Sequence, residues 1–492
     1  MSRRSLRWLW IWAGIAAVIL LPLYWLFPPA SAPMDTPWAS VPGRLPSVDH
    51  SALLDQEFES PQAVTARCLE CHEDSDQELR HSSHWTWDRA PVVVPGRAEP
   101  VAGGKRNVIN NFCIGIRGNW ASCTACHAGY GWTDASYDFD ATENVDCLVC
   151  HESSGTYVKG RAGLPVDGVD LREVAMSVGK SSRDNCGGCH FSGGGGDAVK
   201  HGDLDSSLFN PTENVDVHMG RYDFVCTDCH RTENHQIAGR STSVSMDSNN
   251  QVSCVDCHEK APHEESRLNS HTSALACQTC HIPETARRRA TKTHWDWSAA
   301  GDDSREEDDH SYLRIKGSFE YQQQLRPSYL WFNGSADRYI VGDRIDPDSV
   351  TALNQPRGSI DDPDARIWPF KVHLASQVYD RLNRYLLQPE TSGPQGYWQN
   401  FDWDTALRSG SRHSGLQYSG QYGFTDTSMY WPQTHMVAPK ERALQCLDCH
   451  SHDEEKGRLN WKALGYPGDP LRWGGRQGAS YLTPGTTAVK AP

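Results

Sequence analysis

Residues 113–159 read CIGIRGNWASCTACHAGYGWTDASYDFDATENVDCLVCHESSGTYVK, two Cys-x-x-Cys-His signatures preceded by an unpaired cysteine, Cys113, and closed by a lysine, Lys159. Two thiols at i and i+3 share one helical turn, where each can bond covalently to a haem vinyl group while the adjoining His supplies an axial ligand to iron. Each signature is an attachment site for one haem.

The signature occurs eight times: Cys68, Cys71 and His72; Cys123, Cys126 and His127; Cys147, Cys150 and His151; Cys186, Cys189 and His190; Cys226, Cys229 and His230; Cys254, Cys257 and His258; Cys277, Cys280 and His281; Cys446, Cys449 and His450. Zinc ribbons and thioredoxin-like sites also pair cysteines, but neither requires His at the next position every time. With 22 His in 492 residues, a chance His follows a given pair about one time in twenty. Eight occurrences exclude coincidence. The implied cofactor is eight covalently bound c-type haems with their iron.

The pairs consume sixteen of the 17 cysteines, so the chain is not a disulfide framework. Only 38% of residues are hydrophobic, and 41 are Gly and 28 Pro, which leaves little for a conventional core. Eight flat apolar macrocycles supply the missing buried surface, and folding is expected to depend on them. The formal charge of −15, before any haem propionate is counted, argues against nucleic acid or anionic lipid as a partner.

Arg3, Arg4 and Arg7 precede Trp8 to Phe27, a run without charge about as long as a bilayer is thick. Aromatic residues mark both of its ends, and the basic flank places the N-terminus inside. Pro33 follows the cleavage-like Ala30-Ser31-Ala32 and disfavours processing. Residues 1–27 are therefore expected to anchor the chain to the inner membrane, with the remainder in the periplasm, where haem is attached. Residues 28–60, Pro- and Ser-rich, read as a tether.

Residues 61–300 form a seven-haem region in which signatures start 55, 24, 39, 40, 28 and 23 residues apart. That leaves room for one or two short helices per haem, so neighbouring porphyrins should lie close together. Gly193 to Gly196 lack the Lys-Ser or Lys-Thr of a phosphate loop and suit close approach of backbone to a haem edge. The 164 residues from 282 to 445 carry no attachment site; residues 301–492 form a C-terminal region with the eighth haem and further ligands. Periodicity is weak throughout. The expected fold class is mainly α with extensive irregular coil, closely packed haems forming much of the core.

Electron-transfer haems take a second strong ligand, most often a neutral imidazole. Fourteen His remain beyond the eight proximal ones, enough to close every iron. His84, His201, His218, His235, His271, His294, His373 and His435 are the candidates; His50 in the tether, His310 in an acidic run and His452 beyond the last haem read as solvent-exposed.

The chain resembles the octahaem c-type cytochromes of the tetrathionate reductase family. The resemblance is carried by Asn111-Phe112-Cys113-Ile114 leading through Asn119 to CTACHAGYGW, by VDCLVCHESSGTYVK, THWDWSAAG from Thr293, YLWFNG from Tyr329, WPFKVH from Trp368 and APKERALQCLDCH from Ala438. It implies seven bis-histidine relay haems and one catalytic haem with a lysine amine on its distal side. By position that lysine is Lys159, the haem is the one at Cys123 and Cys126, and Cys113 and Asn119 line the same pocket. A lysine amine, with an ordinary pKa of about 10.4, binds ferric iron only after losing its proton. Once released it places a positive charge where an anion would dock. Without the resemblance Lys159 is a surface lysine in a glycine-rich loop and Cys113 a small apolar side chain.

The resemblance further implies reduction of tetrathionate to thiosulfate, with nitrite or hydroxylamine as further substrates and a periplasmic or membrane quinol-linked electron donor. A non-catalytic electron-transfer wire and a hydroxylamine oxidoreductase-like enzyme are the alternatives. The CxxCK attachment motif of related nitrite reductases is absent.

Overall fold

The computed structural model describes residues 46–94, 97–112, 115–241, 246, 249–451, 453 and 456–476. The anchor at 1–27, most of the tether, Cys113 and His452 lie outside the described residues. Among the described residues no helix is long and apolar enough to cross a membrane.

The chain divides into two units, one comprising Leu45–Val252 and Thr272–Pro492, the other Met1–Arg44 and Ser253–His271. The boundary expected near residue 300 falls inside the first. In the described part of the second, the turn Cys254–Asp256 is capped by Asp256, whose carboxylate accepts from the Ser253 amide at 2.8 Å, and a short helix spans Ser266–His271.

The first unit is built on a sheet, which corrects the mainly α expectation. After a two-stranded ribbon of β1 (Thr232–Glu233) and β2 (Gln236–Ile237) come β3 (Thr291–Asp296), β4 (Tyr312–Leu313), β5 (Gly317–Gln322), β6 (Ser328–Phe332), β7 (Ala336–Arg338), β8 (Thr351–Pro356), β9 (Arg366–Asp380) and β10 (Tyr422–Pro432). Their order is β4-β5-β3-β9-β10-β8-β7, with β6 also pairing β9. The centre is the antiparallel pair β9–β10, in register from Tyr422 opposite Asp380 to Pro432 opposite Phe370. All eight strands arise from the haem-free stretch or its edge. The longest described helix, Trp403–Ser414, has 12 residues, with Asp402 capping its start and Gly415 in the left-handed region at its end.

The strand period is hidden because β9 buries polar side chains. Ile367, Lys371, His373, Ala375 and Gln377 alternate along one face, and all five are buried, yet three of them are polar, so the apolar alternation that marks a strand is missing from the sequence.

Those polar side chains fasten the haem-bearing loops to the sheet. The Lys371 amine donates to the carbonyls of Val199 (2.9 Å) and Lys200 (2.8 Å) and to the Thr291 hydroxyl (2.6 Å). Gln377 donates to the Asn110 carbonyl at 2.8 Å, and Asn111 donates back to the His373 carbonyl at 2.9 Å. Segments 110–112 and 199–201 are thus held on one plate. Around them Ile109, Phe112, Val199, Tyr339, Leu353, Met429 and Trp431 form a core cluster.

Candidate functional site

Each attachment motif is a single tight turn. The amides of His72, His151, His230, His258 and His450 donate to the carbonyl of the first cysteine of their own motif at 2.8–3.1 Å, which gathers both thiols and the imidazole on one side. All sixteen motif cysteines are free thiols, as covalent haem attachment requires.

The histidines carry a second mark of metal ligation. A ligating imidazole is usually oriented by a hydrogen bond at its other nitrogen, and here Nδ1 is held repeatedly: His50 by the Val48 carbonyl (2.9 Å), His151 by Gly179 (2.9 Å), His230 by Ala238 (2.8 Å), His235 by Glu78 (2.7 Å), His435 by Asp203 (3.3 Å) and His450 by Asp469 (2.6 Å). Nε2 is left to face outward. His373, fully buried, has no hydrogen-bond partner on either ring nitrogen, an unmet need that iron would satisfy.

Four proximal rings face a second imidazole. A metal–imidazole bond is about 2 Å, so two rings sharing an iron have centroids about 6 Å apart. His50 and His72 lie 6.3 Å apart, His84 and His190 6.2 Å, His151 and His235 6.5 Å, and His230 and His435 6.1 Å. These pairs set a second imidazole across from the proximal ring at the first, fourth, third and fifth sites, three of them the candidates His84, His235 and His435; the fourth, His50, expected to be solvent-exposed, is half-buried beside His72. His201 instead packs on Trp431 (4.6 Å), His218 on Phe224 (5.9 Å) and His310 on Tyr321 (5.0 Å); among the described residues no second imidazole is placed across from His201, His294 or His373.

Attachment sites also touch one another. The thiols of Cys68 and Cys147, of Cys126 and Cys189, and of Cys186 and Cys226 lie near enough to shift one another's ionisation. The second, fourth and fifth sites therefore form one string, with the first and third adjoining each other.

The second site differs from these four. The His127 ring is fully buried among Trp132 (4.7 Å), Trp85 (5.0 Å), Tyr137 (5.5 Å), Trp87 (5.6 Å) and Phe139 (6.5 Å), and none of its ring neighbours is an imidazole. Burial pushes its pKa down to about 3, keeping it neutral, and its Nε2 is bonded to the Trp85 carbonyl at 2.7 Å. Lys105, Lys200 and Lys159 all act electrostatically on Cys126.

Lys159 is buried and paired. Its amine donates to Asp146 and to the His127 carbonyl, both at 2.5 Å, and to Gly129 at 3.4 Å, which engages all three protons of an ammonium. Asp146, immediately before Cys147, also accepts from the hydroxyls of Tyr130 (2.8 Å) and Tyr157 (3.0 Å). Sequence reasoning missed this cluster although Tyr130, Asp146 and Tyr157 all lie in the quoted stretch, because nothing in their spacing shows that the loops converge. Asn119 is a clamp: its amide nitrogen donates to the Pro389 carbonyl (2.9 Å) and its oxygen accepts from the Thr391 amide (2.8 Å) and hydroxyl (2.6 Å). The Lys200 amine lies 5.9 Å from the centre of the Phe112 ring.

Ile116 packs with Trp87, Trp120 and Trp132 against Cys123 and Cys126, while its neighbour Arg117 lines an open cavity of 580 Å³ together with Arg97, Asn107, Ile340 and Val341. Arg97 is neutralised by Asp343. Arg117 instead donates to the Arg106 carbonyl (2.9 Å) and to Asn107 (2.7 Å).

A crystal structure of octahaem cytochrome c from Shewanella oneidensis matches this fold with a TM-score of 0.81 at 45% identity, covering 86% of this chain and 98% of that one. The chain belongs to the octahaem cytochromes c. Family models for bacterial cytochrome c and for cytochrome c7 and related cytochromes c match residues 292–453 and 212–282. An uncharacterised protein of Archaeoglobus fulgidus is 26% identical over 248 residues, 40% of this chain and 82% of its own length. As an octahaem cytochrome c the protein carries covalently bound c-type haems, and its chemistry is electron transfer and oxidoreduction.

Proposed function

We propose that this octahaem cytochrome is a periplasmic oxidoreductase whose catalytic centre is the haem attached at Cys123 and Cys126. The observation that supports this reading is the second site itself, where a proximal imidazole faces no second imidazole and three lysines converge. The bound haem supplies the redox chemistry. The chain supplies positive charge from Lys105 and Lys200, and from Lys159 once Asp146 releases it, to hold a small anion, with Arg117 in the adjoining cavity, and a dry aromatic wall that strengthens those interactions. A sulfur or nitrogen oxyanion fits. The most concrete reaction is two-electron cleavage of the central S–S bond of tetrathionate to two thiosulfates, with nitrite and hydroxylamine as further substrates, electrons arriving from a periplasmic or membrane quinol-linked donor through the imidazole-paired haems.

Lys159 is the distal amine that the resemblance implies, and Asp146 would have to release it before it could bind iron. A specific observation favours a second reading. Lys200 reaches the Phe112 ring next to Cys113, and its carbonyl is fixed by Lys371, so it can offer an amine without breaking the Asp146 pair.

Purified holoprotein should oxidise a reduced dye with tetrathionate, nitrite or hydroxylamine, and its electron spin resonance spectrum should include one ferric haem that is not bis-imidazole. Eight uniform bis-imidazole signals with no turnover would leave an electron-transfer wire.

A further inference from the structure

Among the described residues the buried cations are largely satisfied by the chain, Arg476 through the carbonyls of Ile360 and Ala365, and Arg338 is the least so. Lys371 gives its protons to two carbonyls and a hydroxyl, Lys159 is paired with Asp146, and Arg287 donates to the carbonyls of Val215, Met436 and Asn214. Arg338, at the end of β7, is 4% exposed and makes one side-chain hydrogen bond, from Nη1 to the Leu353 carbonyl at 3.2 Å. Its Nε and Nη2 have no partner. Arg97, which donates to the Arg338 carbonyl, is itself the partner of Asp343, and among the described residues no acid is paired with Arg338. A guanidinium keeps its charge in proteins and carries five N–H donors, and burying such a charge without a counter-ion is strongly unfavourable. An anion belongs beside it.

We propose that Arg338 is the counter-ion of a haem propionate. Arg338 adjoins Tyr339 and is bonded to the backbone of Leu353, both in the core cluster with Phe112, Val199 and Trp431, and Trp431 packs on His201. That places it within the core that carries the loops of the haem sites. A carboxylate meets the planar fork of an arginine with two parallel hydrogen bonds, which matches the two idle nitrogens. Haems are covalent and permanent, whereas a substrate carboxylate or oxyanion would have to enter an enclosed site. The arginine stabilises the ionised propionate and, as a nearby positive charge, raises the reduction potential of that haem.

The test is a spectroelectrochemical titration of the holoprotein across pH, with haem content read from intact mass. Arg338→Gln should keep every haem yet move one midpoint potential to a more negative value and make it newly dependent on pH, because the propionate now titrates; Arg338→Lys should restore most of the shift. Unchanged midpoints in Arg338→Gln would overturn the proposal. So would wild-type midpoints that move on adding sulfate or acetate, which would make the counter-ion an exchangeable anion. If neither variant matures, redox-difference infrared spectra of the wild type with carboxyl-labelled haem decide: one propionate should stay ionised below the usual carboxylate pKa of about 4, and protonation of all of them there would overturn the proposal.

Discussion

Lys159 and Lys200 approach the second haem site from different surroundings, and single substitutions separate them. The lysine that binds iron, when changed to Ala, should leave all haems attached and convert one ferric centre to a water-ligated high-spin signal. Lys159→Ala is expected in the alternative case to leave that spectrum unchanged while destabilising the fold, because Asp146, whose side chain is 0% exposed, loses its counter-ion; breaking a buried pair costs about 3–5 kcal/mol. His50→Ala carries a cleaner forecast. It should turn the first haem alone high-spin, and an unaltered spectrum would show that the 6.3 Å approach to His72 is packing rather than ligation. Residue chemistry was the most legible part of the sequence, since the eight signatures name their own cofactor. The neighbourhood of His50 was not legible, because Pro- and Ser-rich surroundings describe a tether and do not announce the bond of its Nδ1 to the Val48 carbonyl or its approach to His72.

At the scale of elements the sequence was least informative. β9 replaces apolar residues with Lys371, His373 and Gln377 on its buried face, so the strand serves as a rack for ligand-bearing loops and forfeits the pattern by which strands are recognised. The helix-period and strand-period readings both fail there for the same reason: Lys371 and Gln377 are buried because they bond partners distant in sequence, at Val199, Lys200 and Asn110, and His373 is buried with its ring nitrogens unmet by the chain. The connection from β9 onward gives a measurable example. Asp380, fully buried, accepts from the amides of Leu382 (2.9 Å), Asn383 (2.8 Å) and Ser419 (2.7 Å). Burial alone would raise its pKa, but these hydrogen bonds outweigh it and hold the carboxyl below its ordinary value. A depressed carboxyl stabilises the fold above its unfolded pKa of about 3.9 and loses that contribution as pH falls below it. Asp380→Ala should therefore cost about 2 kcal/mol near neutral pH and progressively less in acid, as followed by denaturant unfolding at several pH values. A cost that stays constant down to pH 3 would mean that the carboxylate charge is irrelevant.

For the whole molecule, intact mass should exceed that of the polypeptide by eight haem masses, and six or fewer would contradict the reading of the signatures. The mature protein is also more acidic than the formal −15 of its sequence, because each haem adds two propionates, so anions reach it only where cations are gathered, as around Cys126. The thiol contacts between Cys68 and Cys147, Cys126 and Cys189, and Cys186 and Cys226 bear finally on how such a molecule is made. Before haem is added these sulfurs are reduced and adjacent, and in oxidising surroundings thiols within reach form disulfides. A chain that closed early would cross-link one attachment motif to another and lose both. Assembly must therefore run in a fixed order, with haem ligated to each motif while the polypeptide is still open, and depriving cells of haem should yield misoxidised, proteolysed chains rather than a stable apoprotein.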